Sequence, residues 1–176
     1  MQIFYENIPA ELKSLPRWVC WRFEQRGGKA TKVPYTPTGR RAKSNDPATW
    51  AAFDECRAAH ERGRFDGIGF QLDGSGIVGV DIDHAKDAAG NWNTAATDIT
   101  ERLASYAEIS PSGEGVHIFI KAVKPGNKSK NAAAGVEMYD TKRFFTVTGN
   151  LYREGLNAVQ ERQGALKGGY FRSEER

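Results

Sequence analysis

Cysteine is scarce in this chain of 176 residues, which contains only Cys20 and Cys56. Two cysteines are too few for a disulfide framework, and their spacing is not the Cys-x-x-Cys of a zinc site. Both are therefore predicted to be buried core thiols. Long apolar runs are also missing, which argues against a membrane span and a signal peptide. We expect a cytoplasmic protein.

A large net charge is absent as well, because 25 basic and 22 acidic residues leave a formal net charge of +3. The charges are nevertheless unevenly distributed. Residues 22–43 hold seven bases and one acid, residues 44–120 hold five bases and thirteen acids, and residues 121–176 hold eleven bases and six acids. An acidic centre between basic segments is typical of a site where metal ions offset carboxylates and phosphates bind the surrounding bases. Chance clustering on solvated faces is the alternative.

The most informative element is a predicted strand that ends in two carboxylates. Residues two apart on a strand share a face, so Asp81 and Asp83 project together, while Val78, Val80 and Ile82 point into the core. Such a pair of carboxylates is suited to holding a divalent metal ion.

Two later segments repeat this alternation of apolar and functional residues. Residues 116–120 present His117 opposite an apolar face, and residues 136–139 do the same with Glu137. If the three strands are neighbours in one sheet, the acidic pair, His117 and Glu137 converge on an open surface.

The remaining pattern predicts a mixed fold. A basic hairpin is expected at residues 18–35, and the strand at 67–72 is expected to form a hairpin with the Asp81 strand through the turn at 73–76. Helices are expected from Asp46, as N-cap, to about residue 62, and over residues 94–106. The predicted class is α+β, a mostly antiparallel sheet with helices on one face and the other face free for ligand.

The domain prediction follows from the same reading. Residues 1–155 are predicted to form one catalytic unit, with a small N-terminal α/β lobe at 1–63 and a catalytic sheet at 64–155. The polar residues 156–176 are predicted to be a loosely ordered tail.

Together these residues resemble the archaeo-eukaryotic primase superfamily, and more closely the primase-polymerase (prim-pol) domains of phages and plasmids. That family has an acidic pair on a strand, a small-x-His motif on a second strand and a third acid on another. Here Asp81 and Asp83, then Gly115-Val116-His117, then Glu137 match in that order. The likeness covers roughly residues 8–150, including the segments 16–21, 32–35, 44–50 and 143–149.

The resemblance implies an RRM-like catalytic core and template-directed nucleotidyl transfer, as in a DNA primase/polymerase of phage or plasmid replication. It implies that Asp81, Asp83 and Glu137 are catalytic ligands of Mg²⁺ or Mn²⁺, and that His117 binds the incoming triphosphate. The implied partners are DNA template and primer, nucleoside triphosphates and a helicase domain or protein.

Further nucleotide-binding candidates have plainer alternatives. Ser112, Gly113 and Gly115 lie in a loop whose backbone N–H groups could approach phosphate, although Ser, Pro and Gly more often form only a turn. The same prediction is made for three residues elsewhere, for which a surface role is the alternative: Lys32, Arg143 and Thr148.

Other functions remain open at this point. A metal-dependent nuclease could use the same carboxylates with water as nucleophile, and a truncated or non-catalytic nucleotide- or DNA-binding module could share the fold. A nicking enzyme with a His-hydrophobic-His motif is disfavoured, because His60, His84 and His117 are never two residues apart.

Overall fold

Two β-sheets and three α-helices make up the fold in the computed structural model, which describes residues 1–127 and 129–166. The helices are α1 (Ala10–Lys13), α2 (Phe53–Glu61) and α3 (Thr94–Leu103). The strands are β1 (Trp18–Arg26), β2 (Lys29–Tyr35), β3 (Gly67–Asp73), β4 (Ile77–Ile82), β5 (Ala107–Ile109), β6 (Val116–Lys121), β7 (Lys130–Asn131), β8 (Val136–Tyr139), β9 (Thr141–Val147) and β10 (Gln160–Glu161). The α+β class and the mostly antiparallel pairing are as predicted.

The first sheet has the antiparallel order β2-β1-β3-β9. Its β1–β2 hairpin confirms the predicted basic hairpin. The hairpin closes at Gly27 and Gly28, which both have positive φ, a conformation that glycine adopts without steric cost. Because β3 and β9 complete this sheet, the predicted lobe boundary at residue 63 does not coincide with the division between the sheets.

The second sheet has the order β10-β6-β4-β8-β7, with β5 also paired to β6. The predicted hairpin between β3 and β4 is wrong, because these strands belong to different sheets. All of β3 except its last residue is buried, and it pairs on both edges, with β1 and β9. A turn signal between two strands does not show whether they remain in one sheet.

The predicted helix from Asp46 to residue 62 is interrupted. Asp46 does act as an N-cap, but of a 3₁₀ turn at Pro47–Thr49, and α2 begins only at Phe53. Between them Ala51 pairs with Trp18, through backbone hydrogen bonds of 2.8 and 3.0 Å. This bridge extends the first sheet and replaces one turn of helix. The second predicted helix is α3, which begins where predicted and ends at Leu103, three residues early.

Two apolar clusters hold the layers together. One joins the first sheet to α2 and to β6, and includes Trp18, Phe70 and Phe119. The other lies between the second sheet and α3, and includes Val80 and Ile99. Cys20 and Cys56 are both buried free thiols, as predicted.

The segment after residue 155 corrects the prediction of a loosely ordered tail over the part that the structure describes. Strand β10 pairs in parallel with β6, and Leu156, Val159 and Leu166 are buried. These apolar residues are too widely spaced to give a periodic signal. Residues 167–176 lie outside the described residues. Within residues 1–127 and 129–166, no helix is long and apolar enough to cross a membrane.

Candidate active site

Five charged or ionisable side chains form one row across the second sheet. The row runs Glu108, His117, Asp81, Glu137, Lys130, each directly opposite the next on a neighbouring antiparallel strand. Directly opposed residues point to the same face, with Cβ atoms about 4.5–5.5 Å apart. The Asp81, His117 and Glu137 strands are therefore neighbours in one sheet, as the convergence of these side chains requires. The five residues are called the ionisable row.

The alternation of apolar and polar residues along each strand places these side chains on one face of the sheet. On the opposite face, Val80, Ile118 and Val136 are buried in the cluster beneath α3. Asp83 lies one residue beyond β4 and is exposed, and its N–H donates to the Gly135 carbonyl at 3.0 Å. A Cβ on Gly135 would lie 3.1 Å from the Asp83 carbonyl oxygen, so glycine there permits the close approach.

Asp81 stands at the centre of the row and is not on an open surface, which corrects the expectation of a free face. Its side chain is 20% exposed, and its Oδ1 lies 3.6 Å from Nε2 of His117. Burial raises the pKa of Asp81, and repulsion from Asp83 and Glu137 adds to the shift, whereas His117 and Lys32 oppose it. Burial, the largest cause, together with this repulsion outweighs the attraction of the two bases.

His117 is more deeply buried, because Phe145 of the first sheet covers its ring at a centroid distance of 5.3 Å. Its Nδ1 lies 2.9 Å from the Thr146 carbonyl oxygen and 3.4 Å from Oε1 of Glu108. Burial alone would lower the pKa of His117, but the hydrogen bond to Glu108 and the attraction of Asp81 outweigh it and raise the pKa. The ring edge that carries Nε2 faces Asp81.

Glu108 is a functional candidate that the sequence analysis missed. It is fully buried and accepts the Thr148 N–H at 3.0 Å, the Gly149 N–H at 2.9 Å and the Tyr106 hydroxyl at 2.6 Å. The one signal in the sequence is an acid that stands between two apolar residues, Ala107 and Ile109. Such an acid is costly to bury without partners, so it indicates a specific environment.

The other end of the row is more exposed. Glu137 lies 2.6 Å from Nζ of Lys130, accepts the Tyr139 hydroxyl at 2.7 Å and lies 3.6 Å from Nη2 of Arg143. Burial alone would raise the pKa of Glu137, but Lys130, Tyr139 and Arg143 together lower it. The sequence does not single out Lys130, and its pairing opposite Glu137 gives it a specific place.

The donor chemistry of Asp81, Asp83 and Glu137 fits a hard divalent cation, since all three present carboxylate oxygens. Burial is the largest cause of the raised pKa of Asp81, and repulsion from Asp83 and Glu137 adds to it, so a bound cation would favour the charged form of this carboxylate. Within the described residues, no three His, Cys, Asp or Glu side chains are already arranged around one metal position. Glu137 is instead held by Lys130, so a cation bound by all three carboxylates would displace that lysine.

The loop predicted to approach phosphate lies beside the row. Ser110 and Ser112 share a hydrogen bond of 3.0 Å, and the Gly115 N–H donates to the Ser110 hydroxyl at 3.1 Å. Gly113 has φ of +79°, and a Cβ on Gly115 would lie 3.0 Å from the Ile82 carbonyl oxygen. The glycines therefore serve a tight turn that packs against the end of β4.

The remaining predicted residues are placed differently from one another. Burial lowers the pKa of Lys32, while Asp81 and Asp83 oppose the shift, so this lysine of the first sheet acts on the acidic pair. The Arg143 guanidinium lies over the Tyr139 ring at 4.5 Å. Thr148 is buried and its hydroxyl donates to the Ile109 carbonyl at 2.6 Å, so it already has a partner where the two sheets meet.

Comparison with known proteins identifies the family. The family described as bifunctional DNA primase/polymerase, N-terminal, matches residues 9–155. This chain belongs to the prim-pol family. A DNA primase-polymerase of Nitratiruptor phage NrS-1 is 34% identical over 168 residues, covering 88% of this chain and 22% of the phage protein. The chain thus spans about a fifth of that relative, and the prim-pol match contains the whole ionisable row.

Proposed function

We propose that this domain catalyses template-directed nucleotidyl transfer, joining a primer 3′-hydroxyl to the α-phosphate of a nucleoside triphosphate during phage- or plasmid-type DNA replication. The observation that carries the proposal is the register that sets His117, Asp81 and Glu137 side by side within the prim-pol match. The residue types suit this reaction, since phosphoryl transfer needs positioning and charge stabilisation more than a covalent partner.

The three carboxylates would hold the metal. Asp81, Asp83 and Glu137 would bind Mg²⁺ or Mn²⁺, and a pair of such ions, when bound, activates the attacking hydroxyl and stabilises the leaving pyrophosphate. Lys130 would leave Glu137 as this occurs. Because the Lys130 side chain is 62% exposed, its ammonium can move into solvent at low cost.

The basic groups around the row would bind the triphosphate. His117 presents Nε2 toward Asp81, and Lys32 approaches the same acids from the first sheet. Arg143 and the loop with Ser112, Gly113 and Gly115 would contact further phosphate oxygens. The Thr148 hydroxyl donates to Ile109 and its N–H donates to Glu108, so Thr148 would support the site from behind without contacting phosphate.

The basic hairpin β1–β2 would bind the DNA template and primer. It lies in the most basic segment of the chain, residues 22–43, and phosphate contacts by Lys and Arg dominate affinity for nucleic acid. A helicase partner stays a prediction.

A primed-template assay with Mg²⁺ or Mn²⁺ and either ribo- or deoxynucleoside triphosphates tests the proposal. We expect the labelled primer to lengthen in a template-dependent manner. Shortening of the primer would indicate a metal-dependent nuclease. Binding of nucleotide and DNA without any change in primer length would indicate a non-catalytic module on the same fold.

A further inference from the structure

Glu108 occupies the inner end of the ionisable row and has no contact with solvent. A buried carboxylate is unfavourable unless donors satisfy it. Glu108 has two backbone N–H donors, Thr148 and Gly149, and the Tyr106 hydroxyl. Among the described residues its ion-pair partner is His117. The carboxylate is thus built into the fold next to a histidine that faces the site.

The contacts of His117 fix which ring nitrogen faces the site. Nδ1 lies near the Thr146 carbonyl oxygen and the Glu108 carboxylate, at 2.9 and 3.4 Å. Neither group can donate a hydrogen, so Nδ1 must carry one. Nε2 is therefore left for Asp81 and for any ligand beside it.

The carbonyl alone does not determine the ring's position, because a single hydrogen bond leaves the ring free to turn about it. Glu108 lies directly opposite His117 in the register and meets the same nitrogen from the β5 side. Its own position is fixed by donors from Thr148 and Gly149, which follow β9 of the first sheet. The acid thereby ties the ring to both sheets.

We propose that Glu108 is a positioning residue, which acts through His117 to hold Nε2 toward the phosphate groups of the bound nucleoside triphosphate. This inference rests on the proposed function. Glu108 itself touches no substrate, since it is fully buried behind the ring. Its effect is therefore expected on nucleotide binding, and only when His117 is present.

A double-mutant cycle tests this role. The dissociation constant for a non-hydrolysable nucleoside triphosphate is measured, with Mg²⁺ present, for the wild type, Glu108→Gln, His117→Ala and the double variant. We expect Glu108→Gln to weaken binding about tenfold, or 1.4 kcal/mol. In the His117→Ala background the same change should have no further effect, because residues that act as a unit are not additive.

Ser105→Ala is the matched control for loss of a buried polar group near β6. The Ser105 hydroxyl is buried, donates to the Phe119 carbonyl at 2.5 Å and accepts the Gln160 N–H at 2.9 Å, away from His117. This variant should lower the melting temperature without changing nucleotide affinity. If Ser105→Ala weakens binding as much as Glu108→Gln does, the effect is structural and the inference fails.

The outcomes separate the inference from the proposed function. If His117→Ala leaves nucleotide affinity unchanged, the nucleotide-binding role of His117 in the proposed function is wrong. If His117→Ala weakens binding but Glu108→Gln does not, or if the two effects add, only the role of Glu108 is wrong.

A second test requires no substitution at Glu108 or His117. In a ¹⁵N-labelled sample, the His117 ring should show a hydrogen on Nδ1 that is protected from exchange with solvent. The chain has three histidines, so the signal can be assigned by His60→Gln and His84→Gln. A ring protonated on Nε2 alone would overturn the inference.

Discussion

The two ends of the ionisable row differ in how firmly they are held. At the inner end, Glu108 and His117 are buried and bound by backbone groups in and just after β9 of the first sheet. At the outer end, Glu137 is held by the side chains of Lys130, Tyr139 and Arg143. Lys130 and Arg143 are largely exposed, so their ion pairs are weak and exchangeable. The inner end is preorganised for one arrangement, whereas the outer end can exchange a lysine for a metal ion.

Asp81 joins the two ends, and its substitution should have the largest effect. Asp81→Asn should abolish metal-dependent primer extension, because it removes the central proposed metal ligand with almost no change in volume. It should not lower the melting temperature. Burial and repulsion raise the pKa of Asp81, so its charged form opposes folding at neutral pH. Extension assays and thermal unfolding on the same preparation measure both quantities.

Retained extension by Asp81→Asn would contradict the proposed metal site. A fall in melting temperature comparable to that of a core substitution would instead show that Asp81 stabilises the sheet. Glu101→Gln serves as the control, since this exposed acid on α3 is paired only with Arg153 among the described residues, at 3.9 Å.

Substitutions at the two ends should differ in how much they lower the free energy of unfolding. His117→Ala leaves the buried Glu108 without its charged partner and should lower the free energy of unfolding by about 2 kcal/mol. Glu137→Ala removes partly exposed ion pairs and should change it by less than about 1 kcal/mol. Urea denaturation at neutral pH measures the difference, and equal losses for the two variants would abolish the distinction between the ends.

The His117 contribution should also depend on pH. Its pKa is raised above the ordinary value of 6.5, so the folded state binds the proton more tightly than the unfolded chain does. The stabilisation is therefore fully present below about pH 6.5 and is lost as the pH rises through the folded-state pKa. The difference in free energy of unfolding between wild type and His117→Ala should become smaller as the pH rises over that range. A difference that widens with pH would show that the ring is neutral in the folded protein.

The features that the sequence predicts are those that depend on a local alternation of apolar and polar residues. Period-two patterns place Asp81, His117 and Glu137 opposite their apolar neighbours, and the glycine pair marks the β1–β2 hairpin. The family resemblance adds the expectation that these strands meet. Each alternation and the glycine pair are encoded within fewer than ten consecutive residues, which is why they can be read without coordinates.

What the sequence does not predict depends on pairing between distant segments. Glu108 and Lys130 belong to the row only because β5 pairs with β6 and β7 pairs with β8. The separation of β3 from β4 depends on β9, which is more than fifty residues further along the chain. The bridge between Trp18 and Ala51 likewise overrides a helix signal that is locally sound.

The exchange of Lys130 for a metal ion at the outer end can be tested by replacing this lysine. Lys130→Met should tighten Mn²⁺ binding several-fold, because the ammonium that lies 2.6 Å from Glu137 would no longer compete for the carboxylate. The free Mn²⁺ signal in electron paramagnetic resonance measures the affinity directly. Lys121→Met is a matched control, since Lys121 is also an exposed lysine 2.6 Å from a glutamate, Glu11. Equal effects of the two substitutions would show that only net charge matters.

The smallest effects are expected at the exposed turn end of the basic hairpin. Arg26→Gln and Lys29→Gln are exposed changes there that should weaken binding of single-stranded DNA a few-fold each. If each side chain contacts one phosphate, each loss should also reduce the slope of log affinity against log salt concentration by about 0.7. Fluorescence anisotropy at several salt concentrations measures both values. Arg153→Gln, beside α3, should leave the slope unchanged, and an unchanged slope in the hairpin variants would place the DNA on another surface.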